Sequence, residues 1–269
     1  MPELPEMENY KCLLQEKIQG KQITGVVIQR EKSLNLPTEE FVQRVNRQKV
    51  LGIDRRAKYL IFHLDKGDHL LLHLMLGGWL FYGNTDEKPK RTVQVQLSFG
   101  NQHLYFIGLR LGYLHELSTP QLEVQLQHLG PEPLESNFSL DRFLHLLQTK
   151  RGALKTMLLD QEFIAGIGNR YSDEILWHAR LLPEKKATEL EQEQKVRLFQ
   201  SIQTVLRQAI QWGGYMDEAF YQGDVQTGGA KNNMNVHDRE GEACPRCGNP
   251  IVKVEISSRN TFYCHICQK

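Results

Sequence analysis

The sequence predicts an α+β chain of several domains. An N-terminal β-sandwich with flanking helices is followed by a helical domain and then by a four-cysteine zinc-finger β-hairpin. Three observations carry this. Between Val50 and about Leu117, short runs rich in Val, Leu, Ile, Phe and Tyr are separated by Asp65-Lys66-Gly67, Gly83-Asn84 and Gly100-Asn101, which are turn signals between strands. Gly130-Pro131-Glu132-Pro133 breaks that pattern, and apolar residues recur at helical spacing beyond it. Two Cys-x-x-Cys pairs then close the chain.

Composition sets the outer limits. The chain has 269 residues, 40% hydrophobic and 24% charged, which excludes collagen, coiled coil and wholesale disorder. Lys plus Arg is 33 and Asp plus Glu 32, a net charge of +1, so whole-chain charge does not favour a nucleic-acid binder and local charge must decide. The N-terminal MPELPEMENY has no apolar core, so no secretory signal is expected. The most apolar run, Leu70–Phe81, is interrupted by His73 and Gly77-Gly78, and falls short of the ~20 apolar residues that span a bilayer. The expectation is an intracellular chain, cytoplasmic or nucleoid-associated, with no membrane partner.

The elements follow in order. Pro5-Glu6-Met7-Glu8 starts a helix, since proline suits its first turn and carboxylates its positive end. Met7, Tyr10, Leu14 and Ile18 recur at helical spacing, and Gly20 is a stop. Ile23–Gln29 is predicted as a strand, and Thr38 as the cap of a helix carrying Phe41, Val42 and Val45. The strand-rich stretch then folds as a sandwich or barrel. Further on, Ser139–Gln148, Ala153–Gln161 and Asn169–His178 are predicted helices. Thr188 with Glu191 has capping-box spacing for a helix running to Trp212. Tyr215–Asp238 is polar and Gly-rich, and is predicted as a mobile loop of functional length. The expected domains are residues 1–130 (catalytic sandwich), a linker at 131–138, a helical domain with its loop at 139–235, and a metal module at 236–269.

Cys244-Pro-Arg-Cys247 and Cys264-His-Ile-Cys267 are separated by sixteen residues. Four thiolates at this spacing match one tetrahedral zinc per chain. Paired disulfides or free thiols are the competing reading, and an intracellular setting argues against the first. A closed shell of four thiolates leaves no open position, so the zinc is structural, and it supplies much of the folding energy of a module with almost no core. His265 inside the second knuckle reads as surface. Ile251–Ile256 and Thr261–Tyr263 pair as strands, and Ser257-Ser258-Arg259-Asn260 form the tip.

Residues 44–58 contain Arg44, Arg47, Lys49, Arg55, Arg56 and Lys58 against Asp54, six positive and one negative for +5. The stretch suits phosphates, or is simply a solvated face. Removal of Met1 exposes the secondary amine of Pro2. An α-amine with a pKa of about 7.7–8.0 is partly neutral near pH 7, whereas a lysine at about 10.4 is not, and a neutral amine can attack an electrophilic carbon. Glu3 lies beside it. Cys12 reads as a small hydrophobe of the first helix.

Together these motifs resemble the formamidopyrimidine-DNA glycosylase / endonuclease VIII family of base-excision repair enzymes over nearly the whole chain. The opening Met-Pro-Glu-Leu-Pro-Glu, the segment Arg55-Arg56-Ala57-Lys58-Tyr59-Leu60, the stretch KTMLLDQEFIAGIGNRYSDE at Lys155–Glu174, and Arg259-Asn-Thr-Phe-Tyr-Cys264 with Cys267-Gln268 carry the resemblance. It implies a helix–two-turn–helix fold in the second domain and a bifunctional glycosylase/lyase acting as a monomer on damaged double-stranded DNA. By resemblance Pro2 is the nucleophile at C1′, forming a Schiff base that decays by β,δ-elimination, and Glu3 is the general acid at the sugar oxygen. Lys58, Asn169 and Arg259 grip phosphates around an everted nucleotide. Lys155 and Arg170 fall in the same DNA-binding signature, although Arg170 stands where an aliphatic residue is usual and either adds a phosphate contact or faces solvent. Met75 in His73-Leu-Met-Leu-Gly-Gly78 matches the wedge that fills the vacated stack, with Leu76 as second candidate and a core methionine as the plain alternative. The family's Asp-x-Arg-Arg/Lys-Phe-Gly segment reads Ile107-Gly-Leu-Arg-Leu-Gly112 here. Arg110 remains, while Leu111 and Ile107 replace Phe and Asp, which puts preference for 8-oxoguanine in question. That departure motivates a rival reading, a non-catalytic protein that binds damaged or abasic DNA.

Overall fold

The computed structural model describes residues 1–269, which divide into two compact units: residues 1–128 with 212–229, and residues 129–211 with 230–269.

The first unit is a β-sandwich. Helix α1 (Leu4–Ile18) and strand β1 (Gly25–Ile28) precede helix α2 (Thr38–Val45). Strands β2 (Val50–Arg56), β3 (Tyr59–Leu64), β4 (His69–His73), β5 (Trp79–Gly83), β6 (Val93–Phe99), β7 (Gln102–Ile107) and β8 (Tyr113–Leu117) follow, and helix α3 (Thr119–Leu126) closes the run. One sheet has the order β1-β6-β7-β5 and the other β2-β3-β4-β8, all pairs antiparallel. Alternation puts Leu60, Phe62, Leu70, Leu72 and Leu114 of one sheet and Leu80, Val95, Leu97, Leu104 and Phe106 of the other into one core. The apolar face of α1 (Met7, Tyr10, Leu14, Ile18) completes it. Thr38 is the first residue of α2 rather than its cap. Pro37 holds the cap position, and the Thr38 amide donates to Glu31 Oε2 at 2.8 Å.

The second unit holds helices α4 (Leu140–Leu147), α5 (Leu154–Leu159), α6 (Asn169–His178) and α7 (Gln192–Gln211), and the hairpin of β9 (Val252–Ile256) and β10 (Arg259–Tyr263). Phe138, Phe143, Phe163 and Phe199 pack at its centre in tilted and edge-on pairs, with ring centroids 5.7–6.3 Å apart. Ser139 caps α4 by accepting from the Arg142 amide. The capping box expected at Thr188 and Glu191 is shifted. Lys186 with Glu189 closes a 3-10 turn at Ala187–Glu189, and α7 begins at Gln192, where the Glu191 amide donates to Gln194 Oε1.

Three boundaries differ from the sequence expectation. The segment 131–138 is not a free tether: Pro131 O accepts the Ala165 amide at 3.1 Å and Phe138 is buried. The metal module rests on the helical domain, since β10 packs on α6. Residues 212–229 return to the first unit instead of forming a mobile loop with the second. Phe220 is fully buried, stacks with Tyr82, and its carbonyl accepts the Tyr82 amide at 2.6 Å. Asp224 ties the turn by accepting from the Phe220, Gln226 and Thr227 amides at 2.9–3.1 Å. Although burial opposes it, hydrogen bonds from Thr227, Phe220 and Gln226 hold its carboxyl below the ordinary range.

Candidate nucleic-acid interface and metal centre

In the first unit, Pro2 is buried and Glu3 is the N-cap of α1. Glu3 and Glu6 form a reciprocal capping box, in which the Glu3 carboxylate accepts the Glu6 amide and Glu6 Oε2 accepts the Glu3 amide at 2.7 Å. The other oxygen, Glu6 Oε1, accepts the Tyr215 amide at 2.7 Å. One buried carboxylate therefore fixes the chain start and the returning loop together. Gly214 makes this approach possible: a Cβ there would meet Glu6 Oε1 at 2.8 Å.

Lys58 lies in the turn between β2 and β3, not within a strand as its motif suggests, and it is buried. The turn is braced against α1. Arg55 Nε donates to Glu8 Oε2 at 2.6 Å, and its Nη1 to the Ala57 carbonyl at 3.2 Å. Burial opposes ionisation of Glu8, but hydrogen bonds from Lys11 and Arg55 keep its carboxyl below the usual range. The +5 stretch is therefore partly neutralised internally, since Arg44 also pairs with Glu40 at 2.7 Å and with Glu116 at 3.3 Å. Counting charges along the sequence does not reveal these partners.

Nothing in the sequence marks His73 as a site residue. Its ring lies 4.5 Å from Tyr59, and burial, then the charge of Lys58, lowers its pKa to about 4. It is therefore neutral at pH 7. A depressed histidine pKa means that the unfolded chain takes up a proton first as pH falls. The His73 contribution is intact above about pH 6.5 and is lost toward pH 4, up to ~3 kcal/mol by linkage. His73→Gln should therefore show a smaller drop in urea midpoint between about pH 7 and pH 4.5 than wild type. An identical drop in both proteins refutes the assignment.

The wedge expectation changes in detail. Met75 is half-buried with φ +52°, a strained region for a side-chain-bearing residue. Leu76 and Leu111 stand out, 68% and 63% exposed. Glycines zip their two loops together backbone to backbone: at Gly108 (φ +73°) a Cβ would lie 2.0 Å from the Gly77 carbonyl. Leu76, Leu111 and exposed Arg110 thus line one groove of about 930 Å³ with Lys90 and Arg91.

In the second unit, α6 organises the rest. Asn169 is its first residue and donates through Nδ2 to the Asn260 carbonyl at 2.8 Å, beside exposed Arg259. The hairpin tip has two residues, not four. Ser257 and Ser258 have φ +50° and +59°, the left-handed pair of a tight two-residue turn, so Arg259 begins β10 and pairs with Ile256. Lys155 is fully buried. Its Nζ donates to Asn169 O at 2.7 Å, Ser172 Oγ at 2.7 Å and Asp173 Oδ1 at 2.6 Å. These use the three protons of the ammonium, so Lys155 is committed to internal acceptors on the helix that Asn169 begins. Arg170 is half-buried on the first turn of the same helix.

Cys244, Cys247, Cys264 and Cys267 bring their Sγ atoms within 4.8 Å of one another. Cys244 and Cys267 are 3.9 Å apart, and Cys247 and Cys264 3.5 Å, bracketing the ~3.8 Å edge of a tetrahedron with Zn–S of about 2.3 Å. The four thiolates fit one structural zinc. The Asn249 backbone and side chain donate toward Cys247 and lower its thiol to about 6. Trp177 of α6 donates to Cys244 Sγ at 3.4 Å and stacks under Arg246 at 4.0 Å. One helix thus grips the module at both ends. His265 is exposed, and no helix is long and apolar enough to cross a membrane.

Three family profiles match the chain in succession: the formamidopyrimidine-DNA glycosylase N-terminal domain over residues 1–113, the formamidopyrimidine-DNA glycosylase H2TH domain over 129–226, and the zinc finger found in FPG and IleRS over 241–269. The chain is 37% identical to the formamidopyrimidine-DNA glycosylase of Pelotomaculum thermopropionicum over 100% of its own length and 99% of that protein. It is 36% identical to that of Protochlamydia amoebophila over the full length of both. Among solved structures, it is similar to Lactococcus lactis Fpg bound to DNA with an abasic site (TM-score 0.92, 30% identity, 99% of each chain). It is equally similar to the same enzyme bound to N7-benzyl-Fapy-dG DNA (TM-score 0.92, 30% identity, 100% of each chain).

Proposed function

The chain belongs to the formamidopyrimidine-DNA glycosylase family, and from that premise we propose that it excises oxidised bases from duplex DNA and cleaves the abasic strand through Pro2. The observation that carries the reading is the buried Pro2–Glu3 start of α1, held by Glu6, in a chain that also bears the family's helix–two-turn–helix and four-cysteine modules.

With Met1 removed, the neutral Pro2 nitrogen attacks C1′. The glycosidic bond breaks, the base leaves with a proton, and the sugar ring opens as Glu3 protonates O4′. The resulting iminium acidifies C2′, and successive loss of the 3′ and 5′ phosphates cuts both sides. Lys58 and Arg110 of the first unit, and Asn169, Arg170 and Arg259 of the second, contact the phosphate backbone. A single chain carries every proposed residue, which supports action as a monomer. Leu76 with Leu111, rather than Met75, fills the vacated stack, because these side chains are the exposed ones.

Borohydride trapping on duplexes carrying abasic, oxidised-purine or oxidised-pyrimidine sites tests the reading. A covalent adduct plus strand cleavage supports it; tight abasic-site binding without turnover supports the non-catalytic rival. Two variants probe the grip. Arg259→Ala should weaken lesion-DNA binding by ~1–3 kcal/mol, typical of a charge-assisted contact, with one zinc per chain retained; unchanged affinity refutes the phosphate role. Leu76→Ala should lower base excision about tenfold or more, as expected of a wedge that sustains a kink. Cleavage of preformed abasic sites should be largely spared, because a missing base already weakens the stack. Equal activity on all substrates refutes the wedge.

A further inference from the structure

His63 and His69 are cross-strand partners on the β3–β4 hairpin, with Nδ1 atoms 2.9 Å apart. Their far nitrogens are also held. His63 Nε2 lies 2.8 Å from Asp54 Oδ2 and His69 Nε2 3.0 Å from Thr119 Oγ1. Both rings are half-buried, and the function proposed above uses neither. An ionised carboxylate only accepts, so His63 Nε2 carries a proton. With both rings neutral, His63 Nδ1 is bare and the single proton between the rings sits on His69 Nδ1.

We propose that this pair is a second metal site, in which a divalent cation of the Ni²⁺ or Cu²⁺ class takes the place of that proton and binds both Nδ1 atoms. Imidazole suits these ions. Two nitrogens ~2.0–2.1 Å from a metal and at right angles to it are about 2.9 Å apart, whereas tetrahedral geometry needs about 3.4 Å. The observed spacing matches adjacent positions of a square or octahedral shell, and solvent supplies the remaining ligands.

The outer contacts are those a metal-bound histidine needs. Asp54 keeps His63 in the tautomer that bares Nδ1. The His69 proton moves to Nε2, where Thr119 Oγ1 accepts it, and the hydroxyl proton turns to the Gly67 carbonyl at 3.5 Å. No proton is lost and each group keeps a partner. Asp68 adds negative charge beside His69. Ligand softness separates this site from the four-cysteine cluster: thiolates select zinc, paired imidazoles the tetragonal ions.

The zinc-loaded full chain should be titrated with nickel chloride at about pH 8, where histidine is neutral, by calorimetry, with metal analysis after dialysis. One nickel per chain in addition to one zinc is expected. His63→Gln and His69→Gln should each weaken nickel binding at least tenfold without loss of zinc, and Asp54→Asn should weaken it roughly 10–100-fold, as outer-contact changes do. No nickel uptake by wild type, or uptake unchanged in the double histidine variant, overturns the proposal. Should a variant fail to fold, histidine NMR of wild type decides: nickel should broaden the His63 and His69 ring signals before those of the other histidines, and broadening elsewhere first is equally fatal.

Discussion

A chain that retains Met1, or carries an uncleavable N-terminal extension, is expected to lose borohydride trapping by about a thousandfold or more, some ~4 kcal/mol of barrier. The physical reason is local. In an amide the Pro2 nitrogen has its lone pair delocalised into the carbonyl, so it cannot attack a carbon. The processed amine differs from an ordinary lysine in being partly neutral near pH 7. The capping box joins Glu3 to Glu6, so folding and DNA binding should persist either way. Intact mass measurement paired with trapping decides. Full trapping by a blocked chain would assign the nucleophile to another residue.

Lys155→Met should destabilise the second unit by ~3–5 kcal/mol, the usual loss when one partner of a buried ion pair is removed. Asp173 is fully buried. Without the lysine it keeps His237 Nδ1 at 2.7 Å, while the Asn169 carbonyl and the Ser172 hydroxyl lose their shared donor. Lys155→Met with Asp173→Asn should recover part of the loss, since the uncompensated charge is gone. Lesion-DNA affinity should fall in the single variant because the Asn169 carbonyl loses the ammonium and keeps only the Ser172 hydroxyl, at 2.9 Å. Chemical denaturation monitored at Trp177 checks the stability arm. A loss below ~1 kcal/mol would mean that the ammonium is not the centre of this network.

Periodicity and spacing carry far where physics acts over a few residues. The start and stop of α1, the span Asn169–His178, the strand runs and the four thiolates are all legible in the chain, because capping, alternation and metal geometry are short-range rules. Misplacements arise where a partner distant in sequence decides. Thr38 loses the cap role to Glu31 and Pro37. The polar loop after Trp212 is anchored by Phe220 in a core built from the chain's first half, and by the Tyr215 amide on Glu6. Lys155 reads like any basic residue of a DNA-binding motif until its three acceptors are located. His73 gives no local sign of a lowered pKa, since burial and Lys58 create it.

The sequence by itself determined the family and the metal: four ordered motifs and a zinc-closing set of thiolates are properties of residue type and order. Only tertiary structure decided which side chains are free to meet DNA. It committed Lys155 and Arg55 to internal partners, left Leu76 exposed and Met75 half-buried, and placed Arg259 beside the carbonyl that Asn169 holds. The reason is that charge and apolarity are written in the chain, but their satisfaction or exposure depends on what long-range packing brings within a few ångströms.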